Sequence, residues 1–418
     1  MSQSGQRKLI EFISLILFSP IYLLVKLIPK NKYLHIYGSS LGLNFSDNSK
    51  YLFLYASKNI KTIKSVYISR NKNVVAQLIN NGYCAEYLYS YNGIKAVLTA
   101  KKAFINHSVR DIHPLLLGGA EIIQLWHGTP LKKIGYDADW ITDSTITKIK
   151  FLIRRIIYCI FPYMYSSRWF DKVIASSDET VVTFKTAFGI TDKRIEVIGQ
   201  PRNDCLNLNY EMDKTIFPEI EYLEKLKNKF DTVIAWLPTH RATMSKSILD
   251  LMDNHNFNLE TADNFLKENK IGMIIKPHFL EKESLVKRFK NSDDIIVYDF
   301  VDPYPLLRYT DILITDYSSV YFDFLLLNRP IIFTPFDYEN YIRTNGSFYY
   351  DYNEVTPGPK CSDWNEVILE LEKTLVLLKN QSTDPFLEKR IEISNKFNYY
   401  KEDYCRKVAD RFILNSEK

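Results

Sequence analysis

One recurring unit constrains this chain more than any other feature. A short run rich in Ile, Val and Leu is followed by a small or polar cluster, and then by a stretch with helical periodicity. The runs are YLHIYGSS from Tyr33, EIIQLWHGTP from Glu121, KVIASSDET from Lys172 and RIEVIGQP from Arg194. They resume with TVIAWLPTHR from Thr232, IGMIIKPH from Ile271, IIVYD from Ile295, DILITDYSS from Asp311 and RPIIFTPF from Arg329. Unbroken apolar runs lack the alternation of a strand with one wet face, so they predict strands covered on both faces, in parallel sheets. Helical patterns over 72–81, 177–188, 219–229, 260–269 and 319–327 supply the crossovers. The alternation comes in two stretches separated by a charged segment near 210–230, and 418 residues suit two or three domains. The expected fold class is therefore α/β, with two Rossmann-like domains facing across a cleft and the ligand at the C-terminal ends of the strands. The expected boundaries are 31–210 for the first domain, 211–384 for the second and 385–418 for C-terminal bracing helices, with 1–30 an N-terminal membrane-associating segment.

Composition removes several classes. With 46% hydrophobic and 25% charged residues the chain is neither disordered nor fibrous. Its five cysteines are widely spaced and form no CxxC, which argues against a disulfide framework or a thiolate zinc site. No HExxH, GxGxxG or GxxxxGK[ST] occurs, so nothing in the sequence requires a metal or a resident cofactor. Basic and aromatic residues do not interleave in a nucleic-acid-binding pattern.

Charge is unevenly placed. The segments 1–30 and 146–172 together carry +8, against +5 for the whole chain, so the remainder is slightly acidic. Phe12 to Val25 is a run of 14 uncharged residues interrupted by Pro20. That is too short to span a bilayer, which takes about 20, and suits either an interfacial segment or a helix packed on its own domain. No small-residue cleavage site follows it. Over 146–165 a helix would gather Ile146, Ile149, Leu152, Ile153, Ile156, Ile157 and Ile160 on one face and Lys148, Lys150, Arg154 and Arg155 on the other. This is a membrane-interface pattern, and equally the pattern of a core helix with a charged outer face.

The polar clusters fall where a parallel sheet would put its ligand. In WHGTP, His127 could accept a proton from a hydroxyl, Gly128 lets backbone approach a ligand, and Thr129 and Pro130 suit a helix start. His240 and Arg241 in LPTHR, and Lys276 and His278 in KPH, offer donors to phosphate oxygens. In TDYSS, Asp316 follows the strand, and Ser318 and Ser319 can open a helix. Lys132 and Lys133 could attract an acceptor phosphate or lie solvated on a helix.

In this order the motifs resemble those of the CDP-glycerol glycerophosphotransferases that build teichoic acids and related capsule polymers. The resemblance runs through FSDNSKYLF (45–53), LWHGTPLKKIG (125–135), GQPRND (199–204), LPTHR, KPH, LLRYTDILITDYSSVYFDF (306–324) and RPIIFTPFD. It departs modestly, with Gln200 where an aromatic is common and His240 beside the matching Arg. It implies a glycosyltransferase-B-like fold and an enzyme at the cytoplasmic face of the bacterial membrane. The implied reaction moves glycerol phosphate from CDP-glycerol to an undecaprenyl-type lipid-linked acceptor and releases CMP. His127 is then the implied general base, and Arg241, His278, Ser318 and Ser319 the implied pyrophosphate binders. Gly128, Thr129, Lys132, Arg202, Asp316 and Asp323 are candidate donor or acceptor contacts. A length of 418 residues points to the primase class or a single-domain-pair transferase. Transfer of ribitol phosphate or another polyol phosphate, a nucleotide-sugar glycosyltransferase of the same fold, and a non-catalytic membrane-surface scaffold are the alternatives.

Overall fold

The computed structural model describes residues 13–14, 16–138, 152–153, 156–157, 160, 170–239, 241, 247–277 and 281–414. It divides into two compact units: the described parts of Met1–His127, Thr142–Asp204 and Glu402–Lys418, and those of Gly128–Ile141 and Cys205–Lys401.

The first unit is built on a seven-stranded parallel sheet. Its strands are β1 (Asn31–Tyr37), β2 (Lys64–Ser69), β3 (Ala85–Tyr87), β4 (Ala100–Ile105), β5 (Glu121–Gln124), β6 (Lys172–Ala175) and β7 (Ile195–Val197). They lie in the order β3-β2-β1-β4-β5-β6-β7. The second unit has five parallel strands: β8 (Thr232–Leu237), β9 (Ile271–Ile275), β10 (Ile295–Val297), β11 (Ile312–Thr315) and β12 (Ile331–Phe333). Their order is β10-β9-β8-β11-β12. In both units the chain winds outward one way from the first strand and then reverses, so a topological switch point lies beside β1 and β4, and again beside β8 and β11. The parallel α/β class is as expected.

Three strands escaped the reading of apolar runs, and each has a reason. β3 is only three residues long. β2 opens on Lys64–Ser65, and β4 carries two lysines. Lys102 is buried there because its Nζ donates to the Phe412 carbonyl at 2.7 Å and pairs with Glu121 at 3.2 Å. A strand with a satisfied charge does not look apolar.

Each unit has its own core. In the first, Tyr37 of β1 stacks on Phe104 of β4 at 4.9 Å, and Phe53 of the helix Asp47–Asn59 meets Tyr37 edge-on at 5.5 Å. In the second, Trp236 of β8 meets Trp364 of the helix Trp364–Asn380 edge-on at 4.9 Å, amid Ile234, Met273, Ile275, Ile314 and Ile332. Both indoles belong to one continuous buried cluster.

Near the N-terminus, the short helix Ser19–Val25 has Pro20 in its first turn, where the missing N–H costs nothing. Its buried Tyr22 and Val25 face Gly118. A Cβ on Gly118 would lie 2.6 Å from the Tyr22 carbonyl oxygen, so only glycine permits this backbone-to-backbone approach. Leu17, Phe18, Leu23, Leu24 and Leu27 remain exposed. The segment therefore packs on its unit along one side and leaves an apolar strip on the other. Of the expected helix over 146–165, residues 152, 153, 156, 157 and 160 are described; they are helical, with Leu152, Ile153, Ile156 and Ile160 exposed. Its four basic residues lie outside the described residues. Among the described residues no helix is long and apolar enough to cross a membrane.

Candidate active site

In the first unit, the segments after β1, β5 and β7 are tied together by one side chain. Asn48 is fully buried, and its Nδ2 donates to the Leu125 carbonyl at 3.1 Å, the Trp126 carbonyl at 2.9 Å and Gln200 Oε1 at 3.3 Å. Its Oδ1 accepts from the Arg202 backbone N–H at 3.0 Å. Arg202 in turn reaches Asp47 Oδ1 with Nη1 at 2.8 Å. Three motifs far apart in sequence (FSDNSKYLF, LWHGTP and GQPRND) thus meet at the C-terminal edge of the sheet. Gln200 is part of that knot. Asp204, the last residue of PRND, accepts the backbone N–H groups of Tyr404 and Cys405, both at 2.8 Å, and so caps the helix Tyr404–Ala409.

His127 is presented by strained backbone. Trp126 before it has φ +56° and Gly128 after it φ +141°. A left-handed tryptophan is costly and persists only where its surroundings over-determine it. Here the Trp126 N–H donates to Gln124 Oε1 at 3.1 Å, its carbonyl accepts from Asn48, and its ring packs edge-on against Phe188 at 4.8 Å. The His127 ring stacks on Trp126 at 4.2 Å and also lies 4.6 Å from His107, with 17° between the two imidazole planes. Burial, and then the nearby His107 and Arg202 charges, hold the His127 pKa well below the ordinary value, with Asp111 opposing. The imidazole is therefore neutral at physiological pH and has an open lone pair for a proton.

His107 behaves oppositely. Burial works to lower its pKa, but Asp111 and then Asp47 outweigh it and raise it. Its Nδ1 stands 3.8 Å from Asp111 Oδ1. Asp111 is fully buried, and accepts from the Leu41 N–H at 2.8 Å, the Asn106 N–H at 2.8 Å and the His107 N–H at 2.7 Å. Burial pushes the Asp111 carboxyl up, yet His107 and these donors bring it below its usual range.

In the second unit the switch point holds a charge cluster. Arg241, which follows β8, is 2% exposed. Its Nη1 donates to Asp316 Oδ2 at 2.6 Å and to the Thr239 carbonyl. Its Nε and Nη2 grip Asp337 side-on, at 3.2 and 3.0 Å. Thr239 donates to Asp316 Oδ1 from its N–H at 2.9 Å and its hydroxyl at 2.6 Å, while the Tyr317 hydroxyl donates to Asp337 at 3.0 Å. The guanidinium also lies over the rings of Tyr317 and Tyr341, at 5.5 and 5.7 Å. Burial disfavours the charge, but the two carboxylates more than offset this and hold Arg241 protonated.

The segment after His127 corrects one expectation. No helix starts at Thr129 or Pro130; Lys132 instead forms an antiparallel bridge with Phe348. The Lys133 N–H donates to the Ser347 carbonyl at 3.0 Å, and the Tyr349 N–H to the Leu131 carbonyl at 2.9 Å. Backbone groups committed to a neighbouring extended segment cannot also wind a helix. Lys132 is accordingly not a solvated helix lysine. Its Nζ donates to the Tyr341 hydroxyl at 3.0 Å, and burial lowers its pKa against the pull of Asp316. The WHGTPLKK motif therefore serves both units, His127 in the first and Lys132 in the second.

The other expected residues are distributed as follows. Gly128 and Thr129 are buried, and Asp316 is fully buried within the Arg241 cluster. Ser318 and Ser319 are half-buried at the start of the helix Val320–Phe324, and the Ser319 side chain does not cap it. Asp323, in the first turn of that helix, is fully buried and accepts from the Tyr304 hydroxyl at 2.6 Å. His240 and His278 lie outside the described residues. Sequence reasoning missed Asn48, His107, Asp111 and Asp337. Asn48 and Asp337 sit in quoted motifs and could have been weighed, whereas His107 follows a strand hidden by its lysines. Among the described residues no group of His, Cys, Asp and Glu could hold a metal ion.

Comparison with known proteins bears on the family and the fold. A family model described as CDP-Glycerol:Poly(glycerophosphate) glycerophosphotransferase matches residues 21–413. A teichoic acid poly(glycerol phosphate) polymerase of Bacillus spizizenii is 31% identical over 419 residues, covering 95% of this chain and 96% of that protein. A teichoic acid glycerol-phosphate transferase of Staphylococcus aureus is 28% identical over 386 residues, covering 90% and 92%. A solved structure of the wall teichoic acid polymerase TagF superposes with a TM-score of 0.70 at 24% identity, covering 98% of this chain and 97% of that one, which establishes the glycosyltransferase-B-like fold.

Proposed function

This chain belongs to the CDP-glycerol:poly(glycerophosphate) glycerophosphotransferase family, and we propose that it transfers glycerol phosphate from CDP-glycerol to a hydroxyl of an undecaprenyl-type lipid-linked acceptor in teichoic acid or capsule polymer synthesis. The observation that carries this reading is His127, a neutral imidazole in a fixed orientation within the matched family region.

The acceptor oxygen attacks the β-phosphorus of CDP-glycerol. A new O–P bond forms, the bond from that phosphorus to the bridging oxygen breaks, and its electron pair leaves with CMP. The acceptor proton passes to His127. A hydroxyl is a poor nucleophile at neutral pH, so a positioned base is worth ~10²- to 10⁴-fold. The low pKa of His127 keeps it unprotonated and ready, though as a weaker base.

The donor pyrophosphate is assigned to the second unit. His278 and the half-buried Ser318 and Ser319 meet its oxygens, and Lys132 supplies charge nearby. Arg241 acts on this site through its two carboxylates. It ties the turns after β8, β11 and β12 together with four of its five N–H donors, which leaves one Nη2 N–H for a phosphate oxygen. Length does not decide between primer and polymer synthesis, since the Bacillus polymerase has a similar length.

The exposed Leu17, Leu23, Leu24 and Leu27, with the exposed Leu152, Ile153, Ile156 and Ile160, suit peripheral contact with the cytoplasmic face of the cell membrane, where a lipid-linked acceptor resides.

Incubation with radiolabelled CDP-glycerol and a panel of acceptors tests the reading. CMP release with phosphate added to the acceptor is expected, one addition marking a primase and a ladder a polymerase. Turnover with CDP-ribitol or a nucleotide sugar, and none with CDP-glycerol, would overturn it.

A further inference from the structure

The His107–His127 stack is not explained by packing alone. A parallel face-to-face pair of imidazoles, 4.6 Å apart and 17° from coplanar, brings two titratable rings together where one hydrophobic ring would stack as well. His107 also follows β4, at the switch point of the first sheet. Its anchor is costly to build. Asp111 is fully buried and accepts three backbone N–H groups, one of them from Leu41, whose own φ is +56°. A carboxylate so held is rigid, and it fixes the loop that carries the second histidine.

We propose that His107 is a positioning residue for the transfer: its ring, stacked on His127 and set beside Asp111, fixes the plane of the base and places a titratable charge against it. The proposal rests on the reading of His127 as the base. The charged groups around the pair are Asp111 on its own loop, Asp47 at the start of the helix Asp47–Asn59, and Arg202 after β7. Asp111 and Asp47 favour the protonated form of His107, and Arg202 opposes it. A charged His107 disfavours a proton on His127, so the two rings do not fill together, and protons leave the pair as a coupled system. Asp111 and Asp47 draw the shared proton toward His107, which leaves the His127 lone pair for the acceptor.

The test uses the full chain and three variants, His107→Phe, His107→Ala and His127→Ala, with CMP release followed from pH 5 to pH 9. His107→Phe keeps a planar ring and removes the charge. Its turnover above pH 8 should stay within about threefold of the parent, while the acid limb of kcat/KM moves up by ~1 pH unit, because His127 now protonates more easily. His107→Ala removes the platform as well. Its kcat should fall at least ~10-fold with KM for CDP-glycerol unchanged. An acid limb of His107→Phe that superimposes on the parent's, or a parental kcat for His107→Ala, would overturn the proposal.

Failure of the base assignment is read separately, as parental turnover by His127→Ala. The link between the rings does not depend on turnover. The ring C–H resonance of His127, titrated by NMR without substrate, should shift its midpoint upward in His107→Phe. An unmoved midpoint would also overturn the proposal.

Discussion

The two units begin from the same topology and end with opposite chemistry. Each has its first strand in mid-sheet, and each gathers its polar residues at the switch point beside that strand. In the first unit that place holds His107, whose ring stacks on the half-buried, neutral imidazole of His127 from the neighbouring strand end. In the second it holds a 2%-exposed guanidinium locked between two carboxylates. The His127 imidazole is held neutral, whereas the guanidinium keeps its charge at every accessible pH. Topology selects where a site forms, and the residues at the strand ends select what it does.

Arg241→Met is the harshest way to break this contrast. It leaves Asp316 and Asp337 buried without their cation, which should cost ~3–5 kcal/mol of stability. Urea unfolding should show that loss, with little folded protein left to assay. A variant of parental stability would mean that the cluster relaxes to water.

His127→Ala should do the reverse. Turnover should drop ~10²- to 10⁴-fold while the thermal midpoint and CDP-glycerol affinity change little. Near-normal turnover would pass the role of base to water or another side chain.

Acid should sharpen the contrast further. In the first unit, burial and then Lys102 hold the His35 pKa down at about 3, and burial and then Arg70 hold that of His113 at about 4. The unfolded chain takes up these protons near pH 6.5, whereas the folded chain refuses them until the lower values. Stability is therefore intact above pH 6.5 and falls as the pH drops below it, at up to ~1.4 kcal/mol per pH unit for each histidine. The unfolding free energy of His35→Gln, measured between pH 7 and pH 5, should fall less steeply by about that amount. An unchanged slope would show that His35 does not carry the effect.

The mildest test concerns the apolar strip of the first unit. Leu17, Leu24 and Leu27 changed together to Gln should weaken sedimentation with anionic liposomes several-fold and leave transfer to a water-soluble acceptor unchanged, since Tyr22 and Val25, which dock the helix, are kept. Undiminished sedimentation would assign membrane contact to another surface.

Much of this was legible in the sequence because it is local. Apolar runs such as TVIAWL and IGMII can hardly avoid being covered on both faces, so the parallel sheets follow from the runs themselves. His127, Arg241, Asp316 and the serine pair stand out because polar residues directly after such runs fall at strand ends. What the tertiary structure decided is pairing and burial. Lys102 hid β4 because its partners, Glu121 and the Phe412 carbonyl, come from other segments. His107 gained meaning only when that strand set it against His127, and Arg241 changed from a free donor to a clamped one when Asp337 arrived from β12. Lys132 left its expected helix because the 347–349 segment took its neighbours' backbone bonds. A residue's type is written in the chain, but its charge state and available donors depend on neighbours that only folding brings within a few ångströms.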